Sequence, residues 1–429
     1  MKANKIVLFM ILLLLAIAVL PARSICVDEA VNLALSSSLQ MENAKLELDS
    51  LKRQSKDSWG TLLPTMRVSG TLAKAENPAT YQEFSNTSAN LAFNFSFNFS
   101  PAMITSIRAT KQSYINGLLT YEQAKAEMKV NVEKLYYAIV LQEEALKIKQ
   151  DSLKIKKDRM DQALTDFENG YVPELYVLNT QVTYQNAKPE VDEAELSLAA
   201  NKRNFAFLLG LDISEEITLT DTIDQDMVEI NEATLLDNIA MRHDLSSIAN
   251  SAKLLKLNKR ALKESAFLPA VAVTGAYGQA LGVIKDDNWL DLDNYIETKS
   301  LSVTVAYDLA NLFPQSSTRQ NLKKIKETEN QLSIQYRMAE EGARLEVLSL
   351  FDKLQTTKKQ IENFDRTVRL AESSYKMTQE SYNNGTSDYL DLKDAENSLA
   401  QARLGRLSSQ YDYLSALIDL EYATNQNIR

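Results

Sequence analysis

Two residue types that carry much of enzyme chemistry occur once each in this 429-residue chain, as His243 and Cys26. A single imidazole excludes a His-cluster metal site and most Ser-His or Cys-His nucleophile pairs. A single thiol excludes a disulfide framework and the Cys-rich zinc motifs. No catalytic set, cofactor or metal site is therefore expected, and His243, followed by Asp244-Leu245 in a helical stretch, reads as a surface or packing residue. Charged residues are plentiful: 57 Asp+Glu against 47 Lys+Arg, a formal net charge of −10. That balance argues against nucleic acid as a partner. The bases from Lys147 to Arg159 are interspersed with acids and apolar residues and read as a solvated coiled-coil face. Asp286-Asp287-Asn288 to Asp293 reads as an acidic loop between strands, and Trp59 and Trp289 as residues at membrane boundaries or under loops.

The elements that position these side chains follow from the scarcity of chain breakers. Only 11 Gly and 8 Pro in this length predict long uninterrupted elements. At the start, Lys2 and Lys5 precede an apolar run from Ile6 to Leu20, and Ala22-Arg23-Ser24 is a small-x-small sequence. This reads as a secretory signal peptide over 1–24. Cys26 invites a lipoprotein reading, but Ile25 and Arg23 fit that processing site poorly, so a free thiol is expected.

The rest is duplicated. Leu63-Pro64 with Val68-Ser69-Gly70 recurs as Leu268-Pro269 with Val273-Thr274-Gly275, and Asn169-Gly170 recurs as Asn384-Gly385. Pro101 and Pro314 stand at matching places. Residues 25–210 form a first repeat, 211–231 an acidic connector and 232–429 a second repeat. Each repeat reads helix, strand, strand, long helical hairpin. The first helices are expected near 27–58 and 232–265, the strands near 65–74, 89–100, 270–281 and 299–310, and the hairpins near 102–209 and 315–425. The hairpins carry seven-residue apolar seams: Val132, Ile139, Leu146, Leu153, Met160, Phe167, and Val347, Leu354, Ile361, Val368, Tyr375, Tyr382. A period of 3.5 imposes left-handed supercoiling. The returning row Leu392, Leu399, Tyr413, Leu420 is broken by Arg406.

The strands discriminate between functions. From Leu91 to Ser100 the period is 2: Leu91, Phe93, Phe95, Phe97 and Phe99 alternate with Ala92, Asn94, Ser96, Asn98 and Ser100. The second copy sets Leu301, Val303, Val305, Tyr307 and Leu309 against Ser302, Thr304, Ala306, Asp308 and Ala310. An apolar outer face with a small polar inner face suits a membrane β-barrel. Four strands cannot close one, and an open edge in lipid leaves backbone groups unsatisfied. The barrel must be shared between chains, and a trimer of twelve strands leaves room for a passage.

Together, the export signal, the duplicated unit, Leu-Pro before each odd strand, Pro after each even strand and Asn-Gly at the hairpin tips resemble the TolC-type outer membrane efflux family over nearly the whole mature chain. The resemblance implies an α+β membrane protein: a homotrimer with a long coiled-coil helical barrel in the periplasm and a shared β-barrel, four strands per protomer, in outer membrane lipid. It implies a passive exit duct that docks on a periplasmic adaptor and an inner-membrane pump, or on a type I secretion apparatus. Phe93, Phe95, Phe97 and Phe99 would face lipid, and Asn94, Ser96, Asn98, Ser302 and Thr304 the lumen. The family's acidic constriction maps onto Asp391 and Asp394, which share a helix face; two solvated acids near a helix N-terminus are the plainer reading. Tip gating and docking map onto Tyr382, Gly385, Ser387, Asp388, Gly170, Tyr176 and Asn179. Ser387 stands where some members have a basic latch residue. A periplasmic coiled-coil adaptor or scaffold is the alternative function.

Overall fold

The computed structural model describes residues 23–75, 86–223, 227–237, 239–281 and 295–428. The apolar signal run, the acidic loop from Asp286 to Asp293 and Trp289 lie outside the described residues. The elements in chain order are β1 (Arg23–Ile25), α1 (Val27–Ser37), α2 (Leu39–Asp57), β2 (Thr65–Ala75), β3 (Asn86–Phe99), α3 (Pro101–Glu168), α4 (Glu174–Leu209), β4 (Ile217–Leu219), α5 (Glu232–Leu235), α6 (His243–Phe267), β5 (Ala270–Leu281), β6 (Tyr295–Ala306), α7 (Ser317–Asn383) and α8 (Tyr389–Thr424). Helices α3 and α7 run 68 and 67 residues. Pro101 opens α3 at the one helical position where its missing N–H costs nothing.

Two compact units emerge, each drawn from both sequence repeats. One holds residues 47–120 and 245–338, and the other holds the remainder of the chain. The first contains a four-stranded antiparallel sheet in the order β2-β3-β5-β6. Its register separates the side chains cleanly. Met66, Phe95, Gly275 and Leu301 form one cross-strand row, and Phe97, Val273 and Val303 another on the same face. Thr65, Ser96, Thr274 and Ser302 form a row on the opposite face. There the Thr274 and Ser302 hydroxyls lie 2.7 Å apart, and Asn98 Nδ2 donates to Ser96 Oγ at 3.3 Å. In the helices of this unit, Thr105 Oγ1 donates to Glu264 at 2.5 Å and Gln112 Nε2 to Asn250 at 3.1 Å.

The other unit is helical, with one small parallel pairing of β1 and β4. Its core gathers Ile25, Ala30, Val132, Tyr136, Ile139, Phe205 and Ile217. A second cluster joins Leu235, Val347, Leu354, Ile361, Tyr413, Leu417 and Leu420. The expected seams are thus buried at Val132, Ile139, Val347, Leu354 and Ile361, and only partly covered at Leu153, Met160, Val368 and Tyr375. Arg406, which interrupts the returning row, reaches Asp365 on α7 at 2.6 Å. The connector is held down: the Val228 N–H donates to the Tyr413 hydroxyl at 3.0 Å. Arg242 is almost fully buried between Asp244 (3.1 Å) and Glu346 (2.8 Å).

Some boundaries differ from expectation for local reasons. The first helix breaks at Ser38, whose extended backbone and hydroxyl cap α2 by accepting from the Met41 N–H at 3.2 Å. In the second repeat the helix starts at His243, preceded by single turns at Glu232–Leu235 and Ile239–Met241. Strand β6 spans 295–306 rather than 299–310. Asp308 accepts from the Ala310 N–H at 2.9 Å and starts a 3₁₀ turn, so Tyr307 and Leu309 continue the alternation in composition but not in the ladder.

Candidate functional site: hairpin tips and a two-faced sheet

Both long hairpins turn by the same device. Gly170 ends α3 at φ +74°; its N–H donates to Phe167 at 2.9 Å, and that of Tyr171 to Asp166 at 2.8 Å. Gly385 ends α7 at φ +72°; its N–H donates to Tyr382 at 2.9 Å, and that of Thr386 to Ser381 at 2.9 Å. These paired bonds satisfy the last helical carbonyls, and the left-handed residue between them favours glycine.

The next helices start differently. Asp388 caps α8, its carboxylate accepting from the Asp391 N–H at 3.0 Å. Pro173 occupies the corresponding place before α4 and offers no side-chain cap. Beyond Asp388, Asp391 accepts from the Ser387 hydroxyl at 2.8 Å. Asp391 and Asp394 are exposed and line one open cleft of about 700 Å³ between α7 and α8, together with Ser374, Thr378, Ser381 and Ser387. The i, i+3 spacing therefore sets both carboxylates on a common surface that is otherwise rich in hydroxyls.

The matching positions of the first hairpin do something else. Tyr176 turns into an aromatic cluster. Its hydroxyl meets that of Tyr382, and its ring stands edge-on to Tyr389 at 5.3 Å. The Arg159 guanidinium lies over the Tyr382 ring at 4.9 Å. Burial, followed by the contact with Tyr382, holds the Tyr176 hydroxyl well above its ordinary pKa, so it stays protonated. Asn179 is exposed, and its carbonyl accepts from Thr183 at 2.9 Å. One step further up, Glu396 takes a hydrogen bond from Ser152 at 3.0 Å across the hairpins. Burial raises the Glu396 carboxyl; Ser152, Lys156 and Arg159 pull the other way without cancelling it. Sequence reasoning missed Arg159, Tyr389, Ser152 and Glu396. Their partners are remote in the chain, and Arg159 lay in a run that looked merely solvated.

In the sheet, Asn94, Ser96, Asn98, Ser302 and Thr304 share the polar face, and Phe93, Phe95, Phe97 and Phe99 share the apolar face. Much of the apolar face is open among the described residues: Met66, Val68, Leu91, Phe93, Leu301, Val303 and Val305 are exposed, and Phe95, Phe97 and Phe99 are half-buried. Exposed apolar area on this scale marks contact with lipid or another chain.

Comparison with known proteins agrees with this arrangement. The family model described as outer membrane efflux protein matches twice, over residues 30–211 and 244–426. No curated protein matches the chain. Among solved structures, CusC superposes with a TM-score of 0.78 at 17% identity, covering 94% of this chain and 92% of that one. The Campylobacter jejuni CmeC outer membrane channel gives 0.78 at 18% identity, covering 93% and 85%. The open-state MtrE outer membrane channel of Neisseria gonorrhoeae gives 0.72 at 19%, covering 94% and 89%. At such identities the superpositions establish the fold, while the twofold family match covers most of the sequence and decides against the adaptor alternative. The chain belongs to the outer membrane efflux protein family, as a TolC-like channel and not an enzyme, with its helical portion in the periplasm.

Proposed function

We propose that three copies of this chain form one duct, which passively conducts cargo delivered by an inner-membrane pump through a periplasmic adaptor, or by a type I secretion apparatus. The observation that carries this reading is the two-faced sheet whose edge strands, β2 and β6, have no outer partner strand among the described residues. Its edges need partners in lipid, and its apolar face needs lipid. Three sheets closed edge to edge would turn Phe93, Phe95, Phe97 and Phe99 outward. Asn94, Ser96, Asn98, Ser302 and Thr304 would then line the lumen.

At the periplasmic end the tips would both dock and gate. Tyr171, Leu175 and Leu390 are exposed apolar residues beside the two turns, suited to an adaptor. Asp391 and Asp394 from three chains would give a ring of six carboxylates, which attracts cations and resists anions. The Tyr176–Tyr382 hydroxyl contact ties the two hairpins of one protomer together, so widening the tip would break it or carry both hairpins along. With Ser387 in place of a basic residue, Ser387 and Asp388 orient and cap around Asp391 without forming an ion pair there.

Planar-bilayer recording of the purified protein tests the reading. Discrete cation-selective channels are expected. Replacing both Asp391 and Asp394 with Ala should weaken block by a trivalent cation by about tenfold, equivalent to ~1.4 kcal/mol. Unchanged block would remove the ring assignment, and absence of conductance from folded protein would remove the duct.

A further inference from the structure

A basic cleft lies between the end of α6 and the start of α7, next to the chain ends of β5 and β6. It is open, about 800 Å³, and lined by Lys259, Lys263, Phe267, Arg319, Lys323 and Lys326 among others, with no carboxylate in its lining. Lys263, Arg319, Lys323 and Lys326 are exposed, while Lys259 pairs with Glu329 at 2.5 Å. The whole chain carries a net charge of −10, so this gathering of cations runs against its composition. The walls are fixed to each other. Asn311 Nδ2 donates to the Ala266 carbonyl at 3.2 Å, Thr318 Oγ1 donates to Asn311 Oδ1 at 2.7 Å, and the Arg319 guanidinium lies over the Phe267 ring at 5.6 Å.

The cleft opens on the side of the sheet's apolar face. A Cβ added to Gly278 would stand 3.5 Å from the Leu91 carbonyl oxygen, so that carbonyl points at β5. The Gly278 carbonyl accepts from Thr298 Oγ1 on β6 at 3.2 Å. Successive residues bond to alternate sides, so apolar-face residues of β5 bond to β3 and polar-face residues to β6. For L-residues this fixes the hand. With the apolar face toward the viewer and β5 running up, β3 lies on the right and β6 on the left. Helix α6 leads into β5 and is flanked in the same order: Asn250 and Glu264 meet α3, and Lys259 meets α7. At roughly 100° per residue, a right-handed helix so placed turns Lys256, Arg260, Lys263 and Phe267 toward the viewer. On α7, counted from Glu329, the same geometry turns Arg319, Lys323 and Lys326 the same way.

We propose that this cleft binds the phosphate of an anionic phospholipid in the periplasmic leaflet of the outer membrane. The inference rests on the reading that the apolar face of the sheet meets lipid. Lys263 stands about two helical turns, ~10 Å, from the start of β5, within reach of a headgroup layer. Leu268, Leu309, Leu312 and Phe313 are exposed near the strand ends and suit acyl chains, which a free phosphate lacks. Ammonium and guanidinium groups bind phosphate oxygens by charge-assisted hydrogen bonds. Counted from Leu63-Pro64 and Leu268-Pro269, the first repeat has Gln54 and Ser58 where the second has Lys259 and Lys263. The duplicated fold therefore does not itself demand lysine at these positions.

Native mass spectrometry of the full-length protein in detergent, titrated with phosphatidylglycerol or phosphatidylcholine of the same acyl chains, tests the inference. Wild type is expected to retain phosphatidylglycerol about tenfold better, with a preference that added salt reduces. Lys263→Gln, Lys323→Gln and Lys326→Gln together should abolish the preference, and the three Lys→Arg changes should keep it. Equal retention of the two lipids by wild type overturns the proposal, as does an unchanged preference in the Gln variant or its loss in the Arg variant. Displacement of the bound lipid by millimolar inorganic phosphate would identify a free-anion site and also overturn it. Planar-bilayer recording in pure phosphatidylcholine separates this proposal from the reading beneath it. Wild-type conductance there without any lipid preference would keep the duct and remove the lipid site. An altered ion selectivity in the Gln variant would put the cations in the lumen and overturn the proposal, and folded protein that neither inserts nor conducts would remove both readings.

Discussion

Glu396 shows how a single side chain can oppose the stability of the hairpins it helps to join. Burial raises its carboxyl, so in the window between its unfolded and folded pKa values the folded chain binds more protons than the unfolded chain. Stability then falls as pH rises through that window. Glu396→Gln keeps an acceptor for the Ser152 hydroxyl and removes the buried charge. It is expected to raise the thermal midpoint at neutral pH, with a gain that shrinks as both proteins are acidified; a loss at neutral pH would mean that Lys156 and Arg159 outweigh burial. Such a residue is hard to see in a sequence, because Ser152 is 244 positions away. Asp391 and Asp394 were easier to place together, since a three-residue spacing fixes a shared helix face whatever lies opposite. The part played by Tyr176 was not legible: its partner Tyr382 is 206 residues distant, and only the packed hairpins bring the two hydroxyls together.

At the scale of elements, the two tips are one motif used twice, and the helix starts that follow differ. Gly385 has open space where a Cβ would stand, so Gly385→Ala tests backbone conformation without a clash. The positive φ should cost about 1 kcal/mol. Faster hydrogen exchange of the amides of Gly385 and Thr386 in detergent-solubilised protein is the expected sign, and unchanged exchange would contradict the turn. The strands were the most legible elements, because a two-residue period assigns each side chain to a face before any register is known. The register then kept Phe93 to Phe99 on one face and Asn94 to Asn98 on the other. The period failed at Tyr307 and Leu309, where the Asp308 cap ends the ladder although the alternation runs on. The helix break at Ser38 escaped notice for a similar reason: a capping hydroxyl inside an apolar-periodic stretch leaves the period intact.

For the whole molecule, the decisive facts are what one chain leaves unfinished. Among the described residues its sheet has two open edges and an apolar face with many exposed side chains, and its hairpin seams are fully buried only part of the way along α3 and α7. Duplication was legible from Pro64 and Pro269, Pro101 and Pro314, and Gly170 and Gly385, because scarce breakers mark element ends. The division into units was not, since each unit takes part of both repeats. Stoichiometry is the property on which the duct depends: twelve strands enclose a passage, whereas eight enclose only side chains. Native mass spectrometry of the protein released from outer membrane-derived detergent micelles measures it directly. Three chains per particle is the expected result, and a stable monomer or dimer as the sole species would contradict a barrel shared between three copies.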